Sequence, residues 1–140
     1  MRAHTSFTVR NNLSEIGTVR QVITDFAERC QLPPDVLFAV NLALEEVLTN
    51  VISYGFSDDH DHAIDVRIDV GDGQLTAEVE DDGRPFNPLE YLAPDTTKPL
   101  VERPIGGLGI HLMRRFMDEL EYRRHSGKNL LIMKKHWPPA

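Results

Sequence analysis

The stretch "LEEVLTNVISYGF", Leu44–Phe56, decides how this chain is read. It continues an apolar stripe through Val36, Leu37, Val40, Ala43, Leu44, Val47, Leu48 and Val51, which is the period of a core-facing helix. That helix starts at Pro34 or Asp35, after the break "QLPPD", and Gly55 marks its end. Four polar residues interrupt the stripe: Glu45, Glu46, Thr49 and Asn50. Glu46 and Asn50 stand four apart and share one face. Glu45 lies about 100° round the helix and reads as structural. The Glu46–Asn50 face is either solvated surface or the floor of a site. As a site it has a definite chemistry. A carboxylate can take a proton from a hydroxyl. An amide oxygen one turn on can ligate Mg²⁺, which needs few protein ligands.

The flanking segments follow from their periods. "SFTVR", Ser6–Arg10, alternates as a strand. Ser14 and Glu15 open a helix that carries Ile16, Val19, Val22, Ile23, Phe26, Ala27 and Cys30 inward. After the polar turn "SDDHDH" come two alternating strands, Ala63–Val70 and Gln74–Asp81, joined by the hairpin turn "GDG". A proline-rich segment without periodicity runs over 82–107, and loops of that length are usually functional or mobile. "GLGIHLMRRFMDEL" then reads as a helix, with Ile110, Leu112, Met113, Phe116, Met117 and Leu120 for the core. "EYRRH" and "NLLIMKKH" make a last hairpin through "SGK". Strand pairs segregate from helices. The expected class is therefore α+β: one mixed, mostly antiparallel sheet with helices on one face.

Bulk properties exclude several functions. A chain of 140 residues suits one domain with one core, here taken as 1–140. No apolar run approaches the roughly 20 residues that cross a bilayer. The start "MRAHTSFTVR" lacks the apolar stretch of a signal peptide, so a cytoplasmic location and no membrane partner are expected. The single cysteine, Cys30, fits a reducing compartment, and nothing around it activates a thiol. A net charge of -7 argues against direct contact with nucleic acid.

Two further stretches carry chemistry. Asp81-Asp82-Gly83 ends a strand; an aspartate there can accept from an exocyclic amine, with the glycine letting a flat ring approach. Gly106, Gly107 and Gly109 open a helix, whose free amides can hold a phosphate. The P-loop pattern and the dinucleotide fingerprint are both absent. His60 and His62 flank an aspartate at a spacing a metal could use, and His111 lies in the helix after the glycines.

Taken in order, Glu46-Val47-Leu48-Thr49-Asn50, Asp81-Asp82-Gly83 and Gly107-Leu108-Gly109 resemble the three boxes of the GHKL ATPase superfamily of sensor histidine kinases, gyrase, Hsp90 and MutL. The resemblance spans nearly the whole chain. It is sharpest to the stand-alone branch of anti-sigma-factor serine kinases, through "EEVLTNVISYGF", "DDGRPFNP" and "RPIGGLGIHLMRRFMDELEY".

The resemblance implies a two-layer α/β sandwich of the Bergerat type with a nucleotide lid at about 84–106. It implies ATP and Mg²⁺ as cofactors and protein serine/threonine kinase activity. Glu46 would be the catalytic base. Asn50 would be the metal ligand and part of the nucleotide site. Asp81 would bind the adenine amine in a pocket shaped by Gly83. Gly107, Leu108 and Gly109 would bring amides to the phosphates, and Arg103 would reach the γ-phosphate. The implied partners are a STAS-domain anti-anti-sigma protein and a sigma factor, and relatives of this type often dimerise. One departure is Pro85, where many relatives carry a second glycine. Two other readings stand beside this one. One is a nucleotide-regulated switch that sequesters a partner without phosphotransfer. The other is a detached ATPase domain acting on a histidine elsewhere, although 140 residues leave no room for a phosphoacceptor helix pair.

Overall fold

The computed structural model describes residues 2–87, 89 and 113–138. Five strands form a single sheet: β1 (Arg2–Arg10), β2 (Ala63–Gly71), β3 (Gln74–Asp81), β4 (Glu119–His125) and β5 (Lys128–His136). Two helices, α1 (Ile16–Cys30) and α2 (Pro34–Tyr54), link β1 to β2. The strand order is β1-β2-β3-β5-β4 and all four pairings are antiparallel. Among the described residues the expected mixed character is thus absent from the pairings. A single crossover helix would make β1 and β2 parallel, but a helix pair returns the chain to the end where it left the sheet. β4 runs parallel to β3, yet β5 lies between them.

Each strand alternates, as a half-covered sheet must. Ile64, Val66 and Ile68 of β2, Leu75, Ala77 and Val79 of β3, and Leu131 and Met133 of β5 are buried in one cluster with the inner faces of α1 and α2. The other sheet face is polar, with Arg67 paired to Glu78 at 3.0 Å. α2 has the length and mean hydropathy (1.5) of a membrane span, but half of that stretch is buried inside the fold. It is the core helix, and Glu46 and Asn50 sit on it.

Local signals explain the boundaries. A short 3-10 turn (Leu13–Glu15) precedes α1, and the Asn12 side chain caps it by accepting from the Ser14 amide at 3.0 Å. The hairpin turns use Asp72-Gly73 and Ser126-Gly127, all four at positive φ, the geometry that matches strand twist. The helix expected through Leu120 stops earlier. Residues 113–116 are helical, and Glu119 and Leu120 already pair with Lys134 and Met133 in the sheet. Asp118 directs the change: its amide donates to the Lys134 carbonyl, and its carboxylate accepts from the His136 amide. Met113 and Met117 are buried as expected. Phe116, expected in the core, is 37% exposed and packs edge-on against Phe38, itself exposed.

Candidate functional site

The site forms where α2 ends and β3 finishes. β3 and β5 place Asp81 opposite Asn129 in register, on the face that α2 covers. Val47 and Val51 of α2, each next to a polar site residue, line one small cavity with Asp81, Phe86, Tyr122 and Asn129. Its free volume of about 10 Å³ is what one water needs.

On α2 Asn50 is buried and Glu46 half-buried, and polar atoms of both lack partners. Asn50 is fully buried, and neither polar atom of its side chain has a regular hydrogen bond. Glu46 Oε1 is in the same condition. Only one other buried side-chain atom among the described residues shares it, Asn41 Oδ1 on the same helix. Orphaned buried polar atoms are costly, on the order of 1–3 kcal/mol each, and call for an external partner. Burial pushes the Glu46 carboxyl above the ordinary range, while the adjacent Asn50 side chain pulls the other way without reaching regular bonding geometry. A hard cation that keeps most of its waters fits one amide oxygen beside one carboxylate. Glu45 has turned away, as the helix geometry requires, and pairs with Arg20 of α1.

The strand end is built differently. Asp81 is buried, and its Oδ1 accepts from the Gly83 amide at 2.8 Å and the Asn129 side chain at 3.0 Å. Burial raises its pKa most; the bonds from Asn129 and Gly83 oppose that, and the charge of Asp82 adds to it. Both bonds fall on Oδ1, which orients the carboxylate.

Gly83 is required by space. A Cβ there would stand 2.3 Å from the Gly55 carbonyl oxygen at the end of α2 and 2.9 Å from Asp81 Oδ1. The glycine therefore serves the close approach of helix end and strand end. Arg84 continues the joint, its amide donating to Gly55 O at 2.9 Å and its Nε to Tyr54 O at 2.7 Å. Gly83→Ala is expected to destabilise the fold by about 1–3 kcal/mol, since backbone blocks the new methyl. Urea unfolding checks this, and an unchanged midpoint would remove the argument.

Asn129 was not legible as a site residue. "SGKNLL" reads as a turn entering a strand, and only the pairing of β3 with β5 sets Asn129 against Asp81. Its Nδ2 donates to Asp81 and to the Arg84 carbonyl (2.8 Å); its Oδ1 accepts from the Phe86 amide (3.2 Å), Tyr122 and Arg124. It thus holds the strand-end turn on both sides.

The remaining expectations divide. Arg103, Gly107, Leu108, Gly109 and His111 lie outside the described residues, as does most of the lid at about 84–106. Among the described residues, no three His, Cys, Asp or Glu side chains come together as a metal would need. His62 instead meets two carboxylates. Cys30 is half-buried with its thiol pKa raised, chiefly by burial.

The described residues thus form an antiparallel sheet under two helices, with a half-buried carboxylate beside a buried amide on the core helix and an oriented aspartate at a strand end. Over residues 9–135 the chain matches the family described as the histidine kinase-like ATPase domain, and it belongs to that family. It is 31% identical over 102 residues to the serine/threonine-protein kinase BtrW of Bordetella bronchiseptica, covering 73% of this chain and 72% of that protein. It is 28% identical over 123 residues to the serine-protein kinase RsbW of Bacillus subtilis, covering 85% and 77%. It is 31% identical over 111 residues to an anti-sigma F factor of Clostridium botulinum, covering 75% and 76%.

Proposed function

We propose that this protein is an ATP-dependent serine/threonine protein kinase that also acts as an anti-sigma factor, its substrate being a STAS-domain antagonist. The observation that carries the chemistry is the Glu46–Asn50 pair on α2, of which Glu46 Oε1 and both Asn50 side-chain polar atoms are buried without a partner. The family membership and the kinase and anti-sigma names of the relatives support the biological role.

In this reading Asn50 holds Mg²⁺, which neutralises phosphate charge when bound, and Asp81 accepts from the adenine amine. Asn129 and Gly83 keep the Asp81 carboxylate aimed. Glu46 takes the proton of the acceptor hydroxyl, a role helped by its raised pKa, since a base works best with a pKa nearer the working pH. The rest of the catalysis is positioning and charge neutralisation. Arg103, Gly107, Leu108 and Gly109 complete the phosphate side in this proposal. The chain works in the cytoplasm, in company with a sigma factor and the antagonist, and as a homodimer.

The test is incubation of the purified protein with γ-labelled ATP, Mg²⁺ and each STAS-domain protein of its own genome. One acid-stable labelled partner supports the kinase. Acid-labile label points to transfer onto histidine. Intact ATP binding with no labelled partner leaves a sequestering switch.

A further inference from the structure

The polar turn after α2 holds a feature that the kinase reading does not use. His62, at the entrance to β2, has a side chain only 16% exposed. Its Nε2 lies 2.7 Å from Asp58 Oδ1 and its Nδ1 lies 3.0 Å from Asp82 Oδ1. The ring stacks on Phe56, with centroids 4.4 Å apart and planes within 16°. Its backbone amide donates to Asn11 Oδ1 at 2.9 Å, which anchors the residue to the end of β1. Asp82 is the middle residue of the Asp81–Gly83 turn.

A neutral imidazole has one N–H and one lone pair, and an ionised carboxylate can only accept. A ring with a carboxylate on each nitrogen is matched only when both nitrogens are protonated. We propose that His62 is a positioning residue of the nucleotide site: as an imidazolium it ties Asp58 to Asp82 and holds the Asp81–Gly83 turn in its binding shape, so that nucleotide affinity depends on pH. This rests on the reading of Asp81 as the adenine acceptor.

The surroundings agree in sign. Asp58 and Asp82 are the charged groups that face the ring, with His60 beside Asp58. The bond to Asp58 raises the His62 pKa most; burial opposes, and the bond to Asp82 and both charges raise it further. Asp58 is lowered in return, mainly by His62. A face-on aromatic ring also favours the cation. Because the folded value is raised, the tie is complete below the ordinary histidine value of about 6.5 and is lost as pH rises through the folded value. When one proton leaves, one carboxylate faces a lone pair. The longer contact, to Asp82, is the one released. The uncompensated Asp82 charge then pushes Asp81 further toward its neutral form.

The experiment measures binding of ADP with Mg²⁺ by calorimetry from about pH 6.5 to about pH 9, for the wild type, His62→Gln and Asp82→Asn. Ionisation of the ligand is common to all three, so ratios between proteins cancel it. The wild type is expected to lose affinity relative to His62→Gln as pH rises across that range, by about tenfold for each unit by which bound nucleotide raises the His62 pKa. Asp82→Asn should lose the same pH dependence. In parallel the His62 ring is titrated by NMR in the wild type, where it should titrate above the ordinary histidine range. That measurement and Asp82→Asn carry the test if His62→Gln fails to fold. A constant ratio across pH, or a ring titrating at or below the ordinary value, overturns the proposal and leaves the nucleotide site standing. No binding by the wild type at any pH, with the ring still titrating high, overturns the nucleotide reading itself and the proposal with it.

Discussion

Glu46→Gln is expected to reduce protein phosphorylation by about 10²–10⁴-fold while ATP affinity stays within about twofold, the signature of a lost general base. Glutamine keeps the length of the side chain and can still face Asn50, so packing on α2 is preserved. What disappears is the site that receives the hydroxyl proton. Labelling of the partner protein read beside calorimetry on the same preparation separates the two quantities. Full transfer by the variant would show that the base lies elsewhere. The pH dependence follows from the same residue. Burial raises the Glu46 carboxyl, so the acid limb of the rate profile should lie above the ordinary glutamate value of about 4.3. Activity falls as pH drops through the raised value, because only the ionised form accepts a proton. With Asn50 as the metal ligand, removal of Mg²⁺ should weaken nucleotide binding as well as transfer.

Asp81→Asn is the second large effect, an expected loss of about tenfold to 150-fold in nucleotide affinity, the worth of a hydrogen bond to a charged group. The Gly83 amide and the Asn129 side chain both donate to Oδ1. An asparagine must keep its carbonyl oxygen toward those two donors, which turns its NH₂ toward the ligand. Two NH₂ donors then face each other where an acceptor and a donor stood. The fold should survive, since the bonds to Oδ1 remain. Calorimetry with ATP, beside a thermal melt, reads affinity and folding separately. Wild-type affinity in a folded Asp81→Asn would exclude the residue as the adenine acceptor.

The legibility of this protein follows the range of the interactions. α2 was visible because its apolar stripe is long and because Pro34 and Gly55 bracket it. β2 and β3 were visible because half-buried strands alternate and because Asp72-Gly73, both at positive φ, adopts a turn that so short a hairpin accepts easily. The end of the helix near residue 117 was misread because Phe116, Met117 and Leu120 keep a helical spacing. The ladder between β4 and β5 outweighed it, and Asp118 fixed the switch through two contacts to β5. Phe116 consequently lies at the surface beside Phe38.

The same division holds at the site. Glu46 and Asn50 declared themselves in sequence, since spacing along one helix places them on one face whatever the rest of the chain does. Asp81 and Gly83 were marked as a pair by adjacency alone. The close approach to Gly55 that makes Gly83 necessary needed the helix end and the strand end to be brought together. Asn129 carried no local signal, because its role comes from a strand partner 48 residues away in the chain. In sequence His62 was one of two histidines flanking an aspartate in a polar turn, and only the folded turn gave it Asp58 and Asp82 as partners. Sequence alone determined α1, α2, the β2–β3 hairpin, the shared face of Glu46 and Asn50 and the α+β class, because periodicity and local turn chemistry are properties of neighbours. The tertiary structure decided which polar atoms are buried without partners, which carboxylate is aimed, and which histidine is held between two charges. Those depend on burial and on contacts across the sheet, and no short window of sequence contains them.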